Sequence, residues 1–258
     1  MVEMYADITK QEHLVDDIFS MILRCPAISE VAHSGQFVSV YSKDSARLLP
    51  RPISICEVDK KAGTIRLVYR TVGAGTTEFS GYKKGDSLKV VGPIGNGYEL
   101  NSSHPILMGG GIGIPPMLEL AKEFSAKGLS KNDISVILGY RDNTFLLNEF
   151  KKIATVYISS DSGSVGTKGT VIDAAKENVV TGDAIYACGP KPMLKAIKAY
   201  AYEKDVPAFI SLEERMACGI GACLACVCKS VDVDDHSKVN NKRICVDGPV
   251  FNAEEVEL

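Results

Sequence analysis

The sequence predicts a β + α/β protein: an N-terminal antiparallel β-barrel, a doubly wound parallel α/β domain and a small C-terminal cysteine-rich unit. Three observations predict it. Short β-rich runs separated by turn signals fill residues 1–101, strand-like runs alternate with helical periodicity over 102–210, and five of the eight cysteines fall in the last 41 residues, within 211–258.

In the first segment, QFVSVYS, SICEVD, TIRLVYRTV and SLKVVGPIG have strand composition, with Lys61-Ala62-Gly63 and Lys84-Gly85-Asp86 as turns between them. Repeated short strands of this kind close into a barrel or sandwich. The pattern changes near residue 104. HPILMGG, ISVILGY, TVYISS and DAIYACGP read as strands; residues 117–128, 145–153, 169–179 and 191–205 have helical spacing. Strand–helix alternation implies a parallel, doubly wound sheet.

Composition narrows the function. The net charge is −3 and no basic tract stands out, which argues against a nucleic-acid partner. The most apolar stretch, residues 105–118, is 14 residues long and holds four glycines and three prolines, too short and too broken to span a bilayer. The opening residues carry no apolar h-region, so a cytoplasmic protein without membrane attachment is expected. In that setting a cysteine cluster reads as metal ligation before disulfides.

Cys218, Cys223 and Cys226, with Cys245 further on, form C-x4-C-x2-C…C, the plant-type spacing of a [2Fe–2S] cluster. Ala217, Gly219, Gly221, Ala222 and Ala225 are small, so backbone amides can point at the sulfurs and stabilise negative charge. The alternative is structural zinc, but zinc sites bring two C-x2-C knuckles and this tail has one. Cys228 is a surplus thiol, read as a spectator.

Gly109, Gly110, Gly111 and Gly113 lie between a strand and a helix opened by Pro115 and Pro116. Glycines there admit a pyrophosphate to the backbone, and the helix N-terminus supplies free N–H groups. The motif is G-x-G-x-x-P and misses the Rossmann fingerprint, so a tight turn without ligand is the alternative. Cys188-Gly189-Pro190, before Lys191-Pro192-Met193, repeats the strand–turn–helix design. Cys188 is either a core residue or a functional thiol at the sheet's carboxyl end. Asp161 ends the strand TVYISS, where a carboxylate accepts from a ribose 2′-hydroxyl and repels a 2′-phosphate; the plain alternative is a turn residue.

In the first segment, Arg51-Pro52-Ile53-Ser54 joins a phosphate-gripping guanidinium to a hydroxyl able to donate to a flavin ring. Val68-Tyr69-Arg70 follows, then Gly75 and Thr76, read as opening a short helix over 77–82 that suits an anion. Singly each is ordinary: Arg51 a surface charge, Thr76 an N-cap.

The order RPIS, VYR…GT, GGGIGIPPM, CGPKPM resembles the ferredoxin–NADP reductase superfamily across the whole chain. The tail EERMACGIGACLACVCK…ICVDGPVF is similar to that of the electron-transfer subunits of NAD-dependent (type B) dihydroorotate dehydrogenases. The resemblance implies FAD on Arg51, Pro52, Ile53, Ser54, Val68, Tyr69, Arg70, Gly75 and Thr76, and a [2Fe–2S] cluster on Cys218, Cys223, Cys226 and Cys245. It implies NAD at the glycine turns, with Ser54 and Cys188 as candidate catalytic residues. It further implies an FMN-containing catalytic subunit, assembled two plus two with this chain, at which dihydroorotate becomes orotate in pyrimidine biosynthesis. Alone, the chain is expected to show only NADH–acceptor activity. Ile53 stands where the superfamily commonly has a flavin-stacking tyrosine, and the chain continues where an aromatic lid is usual. The alternatives are a subunit of a ferredoxin-linked NAD(P) oxidoreductase or sulfide dehydrogenase, and a zinc-stabilised binding protein.

Overall fold

The computed structural model describes residues 1–233 and 238–258. Six strands form a closed antiparallel barrel in the order β1-β2-β5-β4-β3-β6. They are β1 (Val2–Val15), β2 (Ile18–Arg24), β3 (Phe37–Val40), β4 (Arg51–Asp59), β5 (Thr64–Arg70) and β6 (Ser87–Ile94); helices α1 (Pro26–Ser29) and α2 (Ala74–Ser80) fill two connections. Alternate residues turn inward, so Ala6, Ile8, Met21, Leu23, Val38, Val40, Ile55, Leu67 and Val90 form one core.

Strands β1 and β2 carry no strand signal in the reading above. The polar run Lys10, Gln11, Glu12 dilutes the apolar alternation of β1, and pairing with both β2 and β6 holds it in place. Helix α2 starts at Ala74, three residues before the expected 77. Gly73 is its N-cap, and Thr76 Oγ1 accepts the Val72 and Gly73 N–H groups at 3.0 and 3.3 Å. Thr76 therefore closes the first turn from inside the helix.

The second sheet has the order β10-β9-β8-β7-β11-β12-β15. Its strands are β7 (Pro105–Gly110), β8 (Ser135–Tyr140), β9 (Thr155–Ser160), β10 (Thr167–Lys168), β11 (Ala184–Cys188), β12 (Ala208–Ser211) and β15 (Val250–Asn252). The first six are parallel, and only β15, contributed by the tail, is antiparallel. Helices α3 (Ile114–Ala126) and α4 (Leu147–Ile153) share one face, and α5 (Val171–Glu177) and α6 (Lys191–Lys204) the other. The order of strand addition reverses between β7 and β11, first running outward through β8, β9 and β10 and then continuing on the other side of β7, which creates a switch-point crevice at their carboxyl ends. Strands β13 (Val227–Lys229) and β14 (Asn241–Arg243) form a separate hairpin in the tail. No helix among the described residues is long and apolar enough to cross a membrane.

Helix α3 docks on β4 through a buried polar seam. Glu119 accepts the Val58 N–H at 2.8 Å, and Arg66 pairs with Glu57 at 2.6 Å and Glu149 at 2.8 Å. Burial, helped by Glu123 and opposed by the Val58 N–H, pushes the Glu119 carboxyl from the ordinary 4.5 up to about 7. With the folded value raised, this group's contribution is fully present below pH 4.5 and is lost as pH rises through about 7. The loss is on the order of 3 kcal/mol. Glu119→Gln keeps the acceptor but cannot ionise. Urea unfolding at about pH 5 and about pH 8 should show a smaller loss of stability in the variant than in the wild type; equal losses would contradict the assignment.

Candidate functional site

A cleft of about 380 Å³ opens on the outer wall of the barrel where it meets the second sheet and the tail. Arg51, Pro52, Ile53, Ser54, Val68, Tyr69, Arg70 and Thr76 all border it, so two distant sequence motifs and the start of α2 converge on one site. The two-residue period of a strand sorts their roles. Pro52, Ser54, Val68 and Arg70 point outward. Ile53 turns into the barrel core beside Val38, and Tyr69 packs on Phe19 and Phe79 while its hydroxyl accepts from Gln11 Nε2 at 2.8 Å. Burial pushes the Tyr69 phenol up to about 12, against the effect of Gln11, so it stays neutral. Ile53 and Tyr69 therefore offer a ligand backbone rather than side chain.

Gly75 does not border the cleft, and its role is steric. The Arg51 side chain lies across it: a Cβ at Gly75 would sit 2.2 Å from Arg51 Nε. The guanidinium, which donates to the Leu49 carbonyl, is thereby held over the first turn of α2, a concentration of positive potential suited to a phosphate. Arg70 stands on the opposite wall. Its Nε is buried and has no hydrogen bond among the described residues, with the Asp17 carboxylate 3.5 Å away. Two donors held this way fit the diphosphate of a dinucleotide.

At the switch point, Gly109 is level with Cys188 on the neighbouring strand. Gly113 is pressed against the Cys188 backbone, whose carbonyl oxygen would lie 2.3 Å from an added Cβ. Gly110 and Gly189 both abut Met193, so the two glycine turns interlock. Gly111 adopts φ +54°, and Ile112 beside it borders the cleft. The dinucleotide turn and the flavin-type cleft thus share a wall. Pro190 caps α6. Cys188 is 1% exposed and does not border the cleft; burial drives its thiol pKa well up, reinforced by Glu213 and opposed by Ser211.

Asp161 is exposed at the carboxyl end of β9, two strands from β7. That position suits a carboxylate facing an adenosine ribose. The wild type should reduce its flavin faster with NADH than with NADPH, and Asp161→Ala should narrow the ratio by roughly tenfold, the size of one charged contact. Stopped-flow reduction with each nucleotide decides it. Equal wild-type efficiency would rule the carboxylate out.

The tail supplies residues that local sequence signals missed. Ser211, Leu212, Glu213, Glu214, Met216, Ile244 and Pro249 complete the cleft. Burial against the surrounding protein raises the Glu213 carboxyl above the ordinary carboxylate range.

Beyond the cleft the four ligand-candidate thiols stand as two pairs. Cys226 and Cys245 have Sγ atoms 3.4 Å apart, and Cys218 lies beside Cys223. No three His, Cys, Asp or Glu side chains among the described residues stand ready to hold a single metal ion. Two pairs suit a two-iron group, which would take two of these thiolates at each iron. Burial works against ionising Cys218, but the Ile220 and Cys223 N–H groups, donating to its Sγ at 3.5 and 3.4 Å, outweigh it and hold the thiol down to about 6. Gly219 and Gly221 make this possible with φ +67° and +81°. Cys226 and Cys245 are buried in the same apolar cluster as Phe37, Val91 and Ile94 of the barrel wall, while Ile220, Leu224 and Val246 form an exposed apolar collar. Cys228 is buried on β13.

Barrel, switch-point sheet and thiol tail together define a ferredoxin–NADP reductase fold extended by an iron–sulfur unit. A family model described as the iron–sulfur cluster binding domain of dihydroorotate dehydrogenase B matches residues 213–257, and one described as an oxidoreductase NAD-binding domain matches 107–199. The dihydroorotate dehydrogenase B (NAD(+)) electron transfer subunit of Fusobacterium nucleatum is 43% identical over 98% of each chain; that of Listeria innocua is 42% identical over 100% of each. A solved structure of an NADH-dependent reduced ferredoxin-NADP oxidoreductase superposes with TM-score 0.86 at 32% identity, covering 98% of this chain and 89% of that one. Phthalate dioxygenase reductase, at 18% identity and TM-score 0.66, shares the fold over 95% of this chain and 94% of its own. The chain belongs to the family of dihydroorotate dehydrogenase B electron transfer subunits.

Proposed function

We propose that this chain takes electrons from the FMN of a dihydroorotate dehydrogenase catalytic subunit and delivers them to NAD+, in the conversion of dihydroorotate to orotate for pyrimidine biosynthesis. One observation carries the reading: Met216 and Ile244 border the cleft and belong to the same apolar cluster as Cys226 and Cys245, with the Ile244 N–H donating to the Cys226 carbonyl at 2.9 Å, so the thiol loop and the cleft share a wall. Arg51, Arg70 and Thr76 would hold the FAD phosphates, with Pro52, Ser54 and Val68 toward the ring. Gly109, Gly110, Gly111, Gly113, Gly189 and Pro190 would admit NAD, and Cys218, Cys223, Cys226 and Cys245 would ligate the [2Fe–2S] cluster. FAD bound there would supply hydride exchange with nicotinamide and single-electron exchange with the cluster. The chain itself fixes distances, donates to phosphate and screens the sulfurs from water.

The division proposed is 1–101 for the flavin barrel, 102–210 for the NAD domain and 211–258 for the cluster unit, with β15 returning to the NAD-domain sheet. The collar of Ile220, Leu224 and Val246 suits burial against the catalytic subunit, in an assembly of two plus two. The cytoplasm, whose thiol pool is reducing, keeps such ligands available. A second reading, a subunit of a ferredoxin-linked NAD(P) oxidoreductase, draws on the 0.86 TM-score; the higher identity to dihydroorotate dehydrogenase relatives, 43% against 32%, favours the first. Co-expression with an FMN-bearing dihydroorotate dehydrogenase subunit should give one species on size exclusion that contains FMN, FAD and iron. Separate elution at micromolar concentration would refute the partnership.

A further inference from the structure

Ser39 is 2% exposed, and its Oγ has no hydrogen-bond partner among the described residues. A buried hydroxyl left unpaired is costly, and nothing apolar is gained by it. Its surroundings tell where a partner belongs. On β3, Val38 and Val40 enter the barrel core, so Ser39 faces outward with Phe37. It is level with Pro52 of the cleft on one side and with Val91 of the tail-covered wall on the other. Opposite it lies Gly219, directly after the ligand candidate Cys218: a Cβ there would stand 3.2 Å from Ser39 Oγ, 3.5 Å from Met216 Sδ and 3.7 Å from Ile94 Cδ1. Apart from Ser39, this junction of barrel wall and thiol loop is lined by apolar side chains.

We propose that the Ser39 hydroxyl donates a hydrogen bond to a sulfur of the iron–sulfur group held by the Cys218 loop, making Ser39 a positioning residue that sets the cluster's potential. The inference rests on the cluster assignment above. The donor comes from the flavin-binding barrel rather than from the cluster unit, so it ties the cluster's energetics to the wall between the two redox groups. A hydrogen bond to sulfur strengthens as negative charge grows, so it favours the reduced form and raises the potential.

The test uses the two-subunit complex purified with its cofactors, with the cluster followed by electron paramagnetic resonance during redox titration and the flavins by absorbance. Ser39→Ala should retain full iron and FAD, shift the cluster midpoint downward and leave the FAD midpoint in place. Ser39→Thr, which keeps the hydroxyl, should stay near the wild-type cluster midpoint. An unchanged cluster midpoint in Ser39→Ala, a shift confined to the flavin, or equal shifts in the Ala and Thr variants would overturn the proposal. Absence of iron from the wild-type complex would instead overturn the cluster assignment itself, so the two failures are distinct.

Discussion

Cys218→Ser, Cys223→Ser, Cys226→Ser and Cys245→Ser should each lose or sharply weaken the visible iron–sulfur absorption, whereas Cys228→Ser should keep it. The four are joined by spacing and by pairing: Cys226 sits 3.4 Å from Cys245, and Cys218 collects the Ile220 and Cys223 N–H groups. A serine alkoxide is a harder, more basic ligand than a thiolate, so removing one of four leaves an iron poorly held. Cys228 is buried on β13 and lies outside both the C-x4-C-x2-C…C spacing and the two thiol pairs. Absorbance together with iron per chain measures the outcome. Cys245→Ser with a full cluster would remove the fourth ligand from the assignment. Loss of the cluster in Cys228→Ser would bring that thiol into it.

Arg51→Ala should weaken FAD binding by roughly 10- to 100-fold, since a hydrogen bond from a charged donor contributes roughly 1.5–3 kcal/mol. The guanidinium is the cation seated over the first turn of α2, and Gly75 is there because no side chain fits beneath it. Arg51→Lys should recover only part of the loss, because an ammonium keeps the charge without the fork. Titration of apo-protein with FAD, followed by quenching of flavin fluorescence, gives the dissociation constants. Unchanged affinity in Arg51→Ala would remove Arg51 from the phosphate site and leave it to Arg70 and Thr76.

Much of this arrangement is legible in the linear sequence. Strand–helix alternation from residue 104 onward is local, and each expected strand and helix has its counterpart in β7 to β11 and α3 to α6. The thiol spacing is local too. What is not legible depends on chain segments meeting. Strand β1 is polar at Lys10, Gln11 and Glu12 and is held by pairing with two neighbours, so its own residues announce little. Met216, Ile244 and Pro249 enter the cleft from a tail more than a hundred residues beyond Arg51, and no local pattern marks them. Ile53 and Tyr69 show a different gap. Their motifs are recognisable as blocks, yet strand alternation sends these two side chains into the barrel and leaves Pro52, Ser54, Val68 and Arg70 outside.

Dihydroorotate-dependent reduction of NAD+, measured for the isolated chain and for its complex with the FMN-bearing catalytic subunit, decides whether this chain carries electrons from dihydroorotate to NAD+. The complex should form NADH on adding dihydroorotate. The chain alone should form none, while still oxidising NADH with an artificial acceptor. Oxidation of dihydroorotate by the isolated chain, or a complex that holds all its cofactors yet cannot reduce NAD+, would contradict the account.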